Sequence, residues 1–140
     1  MTCIAYREGT LAGDTLWGGQ GLKSYDVKVA KKKGFLIGMC GNDCPSLDDI
    51  LDWYFEDEKK RKEEFKKVDF AIIVVDPEGI IWEWDNRGLA HKVRHEFYAI
   101  GSGAHVALGA MEMGADAKQA VKAAIKWADG CGGKVVSKSQ

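Results

Sequence analysis

The chain has only two prolines and three histidines, and its net charge is −1 over 140 residues. Each shortage excludes something. A charge so near zero sets up no field that would draw nucleic acid or a membrane surface. No apolar run approaches the roughly 20 residues of a membrane-spanning helix. No basic stretch leading into an apolar core opens the chain, so no signal peptide is expected. There is no internal repeat and no low-complexity stretch. The four cysteines, Cys3, Cys40, Cys44 and Cys131, need not form a disulfide framework in a chain of this length. Free thiols in a reducing, cytoplasmic compartment are the expectation. Few prolines beside 17 glycines suggest tight turns between strands. What is present is globular material, 46% hydrophobic and 29% charged. That suits one domain over residues 1–140, large enough to bury its own core.

The patterning is of strands first, helices later. Cys3 to Arg7 and Thr10 to Asp14 read as a hairpin turning at Glu8-Gly9. Thr15 to Lys23 holds Trp17-Gly18-Gly19-Gln20-Gly21 and reads as a loop; its spacing fits neither phosphate-binding glycine motif. Asp26 to Lys31 alternates as a strand, with Val27 and Val29 on one face and Lys28 on the other. Lys31 to Gly34 is a polar turn, and Phe35 to Gly41 an apolar strand running into glycines. Ser46 is placed to cap a helix whose stripe is Leu47, Ile50, Leu51 and Tyr54. Glu56 to Lys67 is a mixed-charge run, either a solvated helix or a connection. Asp69 to Val75 has no polar alternation after its first residue and predicts a strand buried on both faces. Asp76 to Gly79 turns it into Ile80 to Trp84; a short strand follows at Leu89 to Val93, and Phe97 to Ile100 bring the chain into Gly101-Ser102-Gly103. Two helices come next. One carries Ala104, Ala107, Leu108 and Met111 and stops near Gly114; the other is capped by Asp116, carries Ala117, Ala120, Val121, Ala124 and Ile125, and ends at Gly130. Lys134 to Ser137 predicts a last strand. Hairpins with helices in blocks argue an α+β fold.

Chemistry is concentrated at the start. If Met1 is removed, Thr2 gains a free α-amine beside its own hydroxyl, so one residue holds both a nucleophile and a base. The alternative is that Thr2 is simply the first residue of an edge strand.

Three segments together resemble the proteasome β-subunit family and its HslV-like members. They are Met1-Thr2-Cys3-Ile4 with Leu11-Ala12-Gly13-Asp14; Val27-Lys28-Val29 leading to Ile37-Gly38-Met39-Cys40-Gly41; and Ala99-Ile100-Gly101-Ser102-Gly103 before a small-residue helix. The resemblance covers nearly the whole chain, which is shorter than a usual member. It implies an N-terminal-nucleophile hydrolase fold, a four-layer αββα sandwich of two antiparallel sheets. It implies that Thr2 is the nucleophile, that Lys28 stands beside it and that Asp14 supplies the carboxylate. An ammonium there would favour a neutral, basic Thr2 amine and stabilise a developing oxyanion. Ser102 would hydrogen-bond near the amine, the Gly41 N–H would be the oxyanion donor, and Met39 would line a substrate pocket with an apolar floor. Asp129 is carried over from a motif in which Asp lies three residues before Ser-Gly-Gly. Here Asp129-Gly130-Cys131-Gly132-Gly133 is one residue short, with Cys131 where Ser is usual.

The activity implied is a threonine-type peptidase or amidohydrolase acting on peptide or amide substrates, with no cofactor and no metal. Homo-oligomers, rings among them, are implied as well, with any ATPase partner left unnamed. Each residue also has a plainer reading. Lys28 is otherwise a strand lysine reaching solvent, Asp14 a turn residue, and Ser102 the cap of the helix from Ala104. Cys40 and Cys44 with His91, His95 or His105 would make a zinc site, but no second cysteine pair stands at finger-like spacing. At the level of the whole protein, the alternative is a non-catalytic proteasome-like subunit acting in assembly or as a scaffold. A small binding module using the Trp17 to Gly21 stretch is a third reading.

Overall fold

The computed structural model describes residues 2–19, 22–42, 44–56, 65 and 67–140. Most of the charged run from Glu56 to Lys67, and Gln20 and Gly21 of the glycine-rich stretch, lie outside them.

Strands β1 (Ile4–Arg7) and β2 (Thr10–Gly13) form the predicted hairpin, with Ile4 opposite Gly13 and Arg7 opposite Thr10. The next stretch departs from expectation. Leu16–Gly19 and Leu22–Tyr25 pair as β3 and β4, a separate two-stranded ladder, where the sequence reads as loop. The glycines there punctuate a ribbon that the backbone still pairs. β5 (Val29–Lys32) starts three residues after Asp26, and turns into β6 (Phe35–Cys40). Helix α1 (Leu47–Phe55) is capped by the Ser46 hydroxyl, which accepts from the Asp49 N–H. β7 (Ala71–Val75), β8 (Ile81–Asp85), β9 (Ala90–Val93) and β10 (Phe97–Ile100) follow. Helices α2 (Ala104–Glu112) and α3 (Ala117–Trp127) and strand β11 (Val136–Ser139) complete the described elements. The last strand runs two residues later than the sequence suggests.

The described strands form two antiparallel sheets beside the β3–β4 ribbon, in the orders β10-β1-β2-β11 and β5-β6-β7-β8-β9. Side-chain alternation sorts the buried residues into three clusters. Ile4, Leu11, Ile73 and Val75 share one, to which both sheets contribute. Cys3, Ala5, Ala12 and Ala99 turn the other way and meet α2 and α3 through Ala107, Met111, Ala120 and Ala124. Small residues on both sides let these helices lie close to the strands. On the second sheet, Ile37, Met39, Ile72 and Val74 pack with Ile50 and Trp53 of α1. The fully buried Trp53, not Leu51 or Tyr54, joins Ile50 as the core of this stripe. Its ring meets Phe70 edge-on at 5.2 Å, and burying a large apolar side chain in this way contributes about 1.5–3 kcal/mol. Three helices and two antiparallel sheets among the described residues make the chain α+β.

Candidate active site

Strand register brings the site together. Ile4 stands opposite Gly13 on β2 and opposite Ile100 on β10. The residues just before β1 therefore lie between the end of β2 and the β10–α2 junction. The Asp14 N–H donates to the Cys3 carbonyl at 3.1 Å, and the Gly103 N–H to the Thr2 carbonyl at 3.0 Å. Thr2 is thus clamped on both sides by backbone.

Lys28 enters from the second sheet, immediately before β5. It is the decisive departure from the plain reading: its side chain is fully buried, as is that of Asp14. The Lys28 ammonium donates to Asp14 Oδ1 at 3.0 Å, to the Leu16 carbonyl at 2.6 Å and to Thr2 Oγ1 at 3.1 Å. Its Nζ also lies 5.0 Å from the centre of the Trp17 ring. Asp14 is equally engaged. Its Oδ1 also accepts from the Cys3 N–H at 3.0 Å, and its Oδ2 from the Gly132 N–H at 3.1 Å. A buried ion pair is tolerated when hydrogen bonds satisfy what the partner does not, and here main-chain groups supply them. Asp14 is therefore not a turn residue reaching solvent.

Ser102 accepts from the Thr2 nitrogen at 3.2 Å. It does not cap α2: Gly103 is the N-cap, with no side-chain cap bond. Gly101 precedes it at φ +95°, where a Cβ would run into the Thr2 carbonyl. Only glycine lets the chain pass so close to Thr2. Gly41, at φ +147°, is similarly constrained, since a Cβ there would meet the Asp69 carbonyl. Thr2, Cys40, Gly41, Asp69, Gly101 and Ser102 line a cavity of about 180 Å3. Met39 is buried two residues from Gly41 and lines a different cavity, of about 300 Å3, with Trp17, Tyr25, Cys44 and Leu47.

The structure therefore brings Thr2, Asp14, Lys28 and Ser102 together, sets Gly41 on the shared cavity and puts Met39 in a neighbouring one. Asp129 is exposed past the end of α3 and is not drawn into this group. The Gly132 N–H and Cys131 reach it instead, with Cys131 Sγ 4.0 Å from Ser102 Oγ. The Leu16 carbonyl, the Trp17 ring and the Gly132 N–H are the parts that sequence reasoning misses. Two are main-chain groups with no signature in residue type, and Trp17 sits in the stretch read as loop.

Burial governs the thiols. It pushes Cys3 up to about 12, Cys40 to about 11 and Cys44 to about 12. Such thiols stay protonated and make poor nucleophiles or metal ligands. Among the described residues, no group of three or more His, Cys, Asp or Glu is placed to hold a metal ion. His91 faces Glu83 instead, with Nε2 3.6 Å from Oε2.

Solved structures share this architecture. BPH from Thiobacillus denitrificans in complex with epoxomicin superposes with a TM-score of 0.74 at 22% identity, over 99% of this chain and 97% of that one. A second structure of Thiobacillus denitrificans BPH gives 0.72 at 22% identity, over 99% and 96%. Eukaryotic HslV from Trypanosoma brucei gives 0.71 at 19% identity, over 99% and 98%. The chain has an HslV-like fold. That agrees with the fold implied by the resemblance of its sequence segments, and the coverage leaves almost none of the chain outside the likeness. No protein-family model and no curated protein matches the sequence. In this HslV-like fold the buried Lys28–Asp14 pair stands against the hydroxyl of residue 2. No described helix is long and apolar enough to cross a membrane.

Proposed function

We propose that this chain is a threonine-type N-terminal-nucleophile peptidase or amidohydrolase, with Thr2 as nucleophile once Met1 is removed. The observation that carries the reading is the buried Lys28 ammonium, 3.1 Å from Thr2 Oγ1 and 3.0 Å from Asp14 Oδ1. A cation so placed favours a neutral amine on Thr2 and an alkoxide-like oxygen in attack. In the reaction, Oγ1 attacks the substrate carbonyl while its proton passes to the Thr2 amine. The Gly41 N–H donates to the oxygen that becomes negative. The carbon–nitrogen bond breaks, the amine's proton goes to the leaving nitrogen, and an ester remains on Thr2. Water, deprotonated by the same amine, hydrolyses the ester. Ser102 positions the amine, and Lys28 and Asp14 hold charge beside the hydroxyl. Met39 belongs to the floor of a pocket for the residue before the cut. Asp129 has no step in this scheme.

The same reading takes the three buried clusters as the interfaces of a four-layer αββα sandwich, one domain over residues 1–140. It takes the protein as a cytoplasmic homo-oligomer, a ring being the form the resemblance implies. A second reading, a non-catalytic subunit used in assembly, is favoured by the exposure of Asp129 past the end of α3. One experiment separates them. Protein isolated from its native host, lacking Met1, is incubated with epoxomicin and weighed intact. The enzyme reading expects one adduct and cleavage of peptide amides, both lost in Thr2→Ala with circular dichroism unchanged. No adduct and no cleavage on protein lacking Met1 would leave the assembly role.

A further inference from the structure

The ring of Trp17 belongs both to the chemistry around Thr2 and to the cavity beside it. Its place follows from the β3–β4 ribbon, where Trp17 stands opposite Ser24. The base of that ribbon is tied down: Thr15 and Leu16 both donate their N–H to the Gly132 carbonyl, each at 3.1 Å. The Gly132 N–H in turn donates to Asp14 Oδ2. The ribbon thus starts from the residue that also holds the buried ion pair.

From there two consecutive residues grip Lys28. The Leu16 carbonyl accepts from its ammonium at 2.6 Å. One residue on, the Trp17 ring has the same Nζ 5.0 Å from its centre. The Lys28 side chain is fully buried, and an aromatic face attracts a cation most strongly where water is excluded. Trp17 also packs against the cluster that contains Ile37 and Met39. With Met39, Tyr25 and Leu47 it lines the cavity of about 300 Å3.

We propose that Trp17 is a positioning residue: it holds the Lys28 ammonium against Thr2 Oγ1, and through it the side chain seated in the Met39 cavity acts on the rate of attack. The inference rests on the hydrolase reading above. A ring in contact with a cation cannot move at the cavity wall without changing that contact. An apolar side chain before the cut packs on the ring and limits its movement. Lys28 is then kept in the geometry that attack by Thr2 Oγ1 requires. Part of the binding energy of that side chain therefore appears in kcat and not only in KM.

The test uses protein from its native host, lacking Met1, and blocked peptides ending in a chromogenic amide. The peptides differ only in the residue before that amide, glycine against leucine. Expected in the wild type is a kcat at least about fivefold higher for leucine, beyond any fall in KM. In Trp17→Leu and Trp17→Met the gain in kcat disappears, while leucine still lowers KM because Met39 and Leu47 remain in the cavity. Either aliphatic variant suffices, provided circular dichroism shows it folded. Trp17→Phe keeps an aromatic face and recovers most of the gain. A ring that only filled space would alter KM and stability but not the difference in kcat. Three results would overturn the proposal: leucine and glycine differing in the wild type only in KM, a kcat gain kept in the aliphatic variants, or a Trp17→Phe variant no better than they are. Absence of both cleavage and an epoxomicin adduct would instead remove the hydrolase reading, and this inference with it.

Discussion

At the scale of single residues, the Lys28–Asp14 ion pair is fully buried. Removing one member leaves the other charge buried without its partner. Lys28→Met alone should cost about 3–5 kcal/mol in urea unfolding, and Asp14→Asn a similar amount, whereas the double variant should cost clearly less than the sum. Additive losses would mean that the pair is not coupled. The thiols make a second prediction. Burial raises Cys3 from 9.0 to about 12, so the folded state binds a proton that the unfolded state gives up in between. This stability is fully present below about pH 9 and is lost as pH rises toward 12. Urea midpoints of the wild type should therefore fall more between about pH 8 and pH 10 than those of Cys3→Ala. Equal slopes would remove Cys3 as a source of alkaline instability. Lys28 itself was poorly legible. Alternation set it opposite Val27 and Val29, the same pattern a solvent-facing lysine shows, because a strand's period names two faces without saying what covers each.

At the scale of elements, local chemistry was readable wherever it is self-contained. Ser46 and Asp116 cap α1 and α3 as their positions suggest, and Asp116 with Gln119 forms a reciprocal capping box. Asp116→Ala should lower stability by about 1 kcal/mol and leave peptide cleavage untouched, read by thermal unfolding and by turnover. Gly101→Ala should do more. It forces a side chain at φ +95° against the Thr2 carbonyl, so both stability and epoxomicin labelling should fall together. Retained labelling would show that the β10–α2 junction can shift without moving Thr2. The β3–β4 ribbon was not legible as strands. Its pairing depends on cross-strand hydrogen bonds, and glycine-rich residues carry no side-chain alternation to reveal them. The α1 stripe was half legible: Ile50 was identified as core, but Trp53 is buried by rings from Phe70 and Trp84, which come from distant strands.

At the scale of the whole molecule, α2 and α3 face the first sheet with small residues, while Met113 and Trp127 stand 87% and 73% exposed at their ends. If the protein forms the proposed homo-oligomer through these helices, native mass spectrometry should show a multimer that Trp127→Glu weakens. A monomer at all working concentrations would exclude the ring. The sequence by itself determined the α+β class, the β1–β2 hairpin, the buried β7 and the helix caps. These follow from alternation, turn residues and capping groups that act within a few positions. It also marked Thr2, Asp14, Lys28 and Ser102 as residues to watch. Only the tertiary structure decided that Lys28 crosses from the second sheet to touch Thr2 Oγ1. It likewise decided that main-chain groups of Cys3, Leu16 and Gly132 hold the pair, and that Asp129 stays in solvent. Those outcomes depend on which strands pair and which sheet faces which. The cost of burying charge then selects, among many polar residues, the few that find every partner they need.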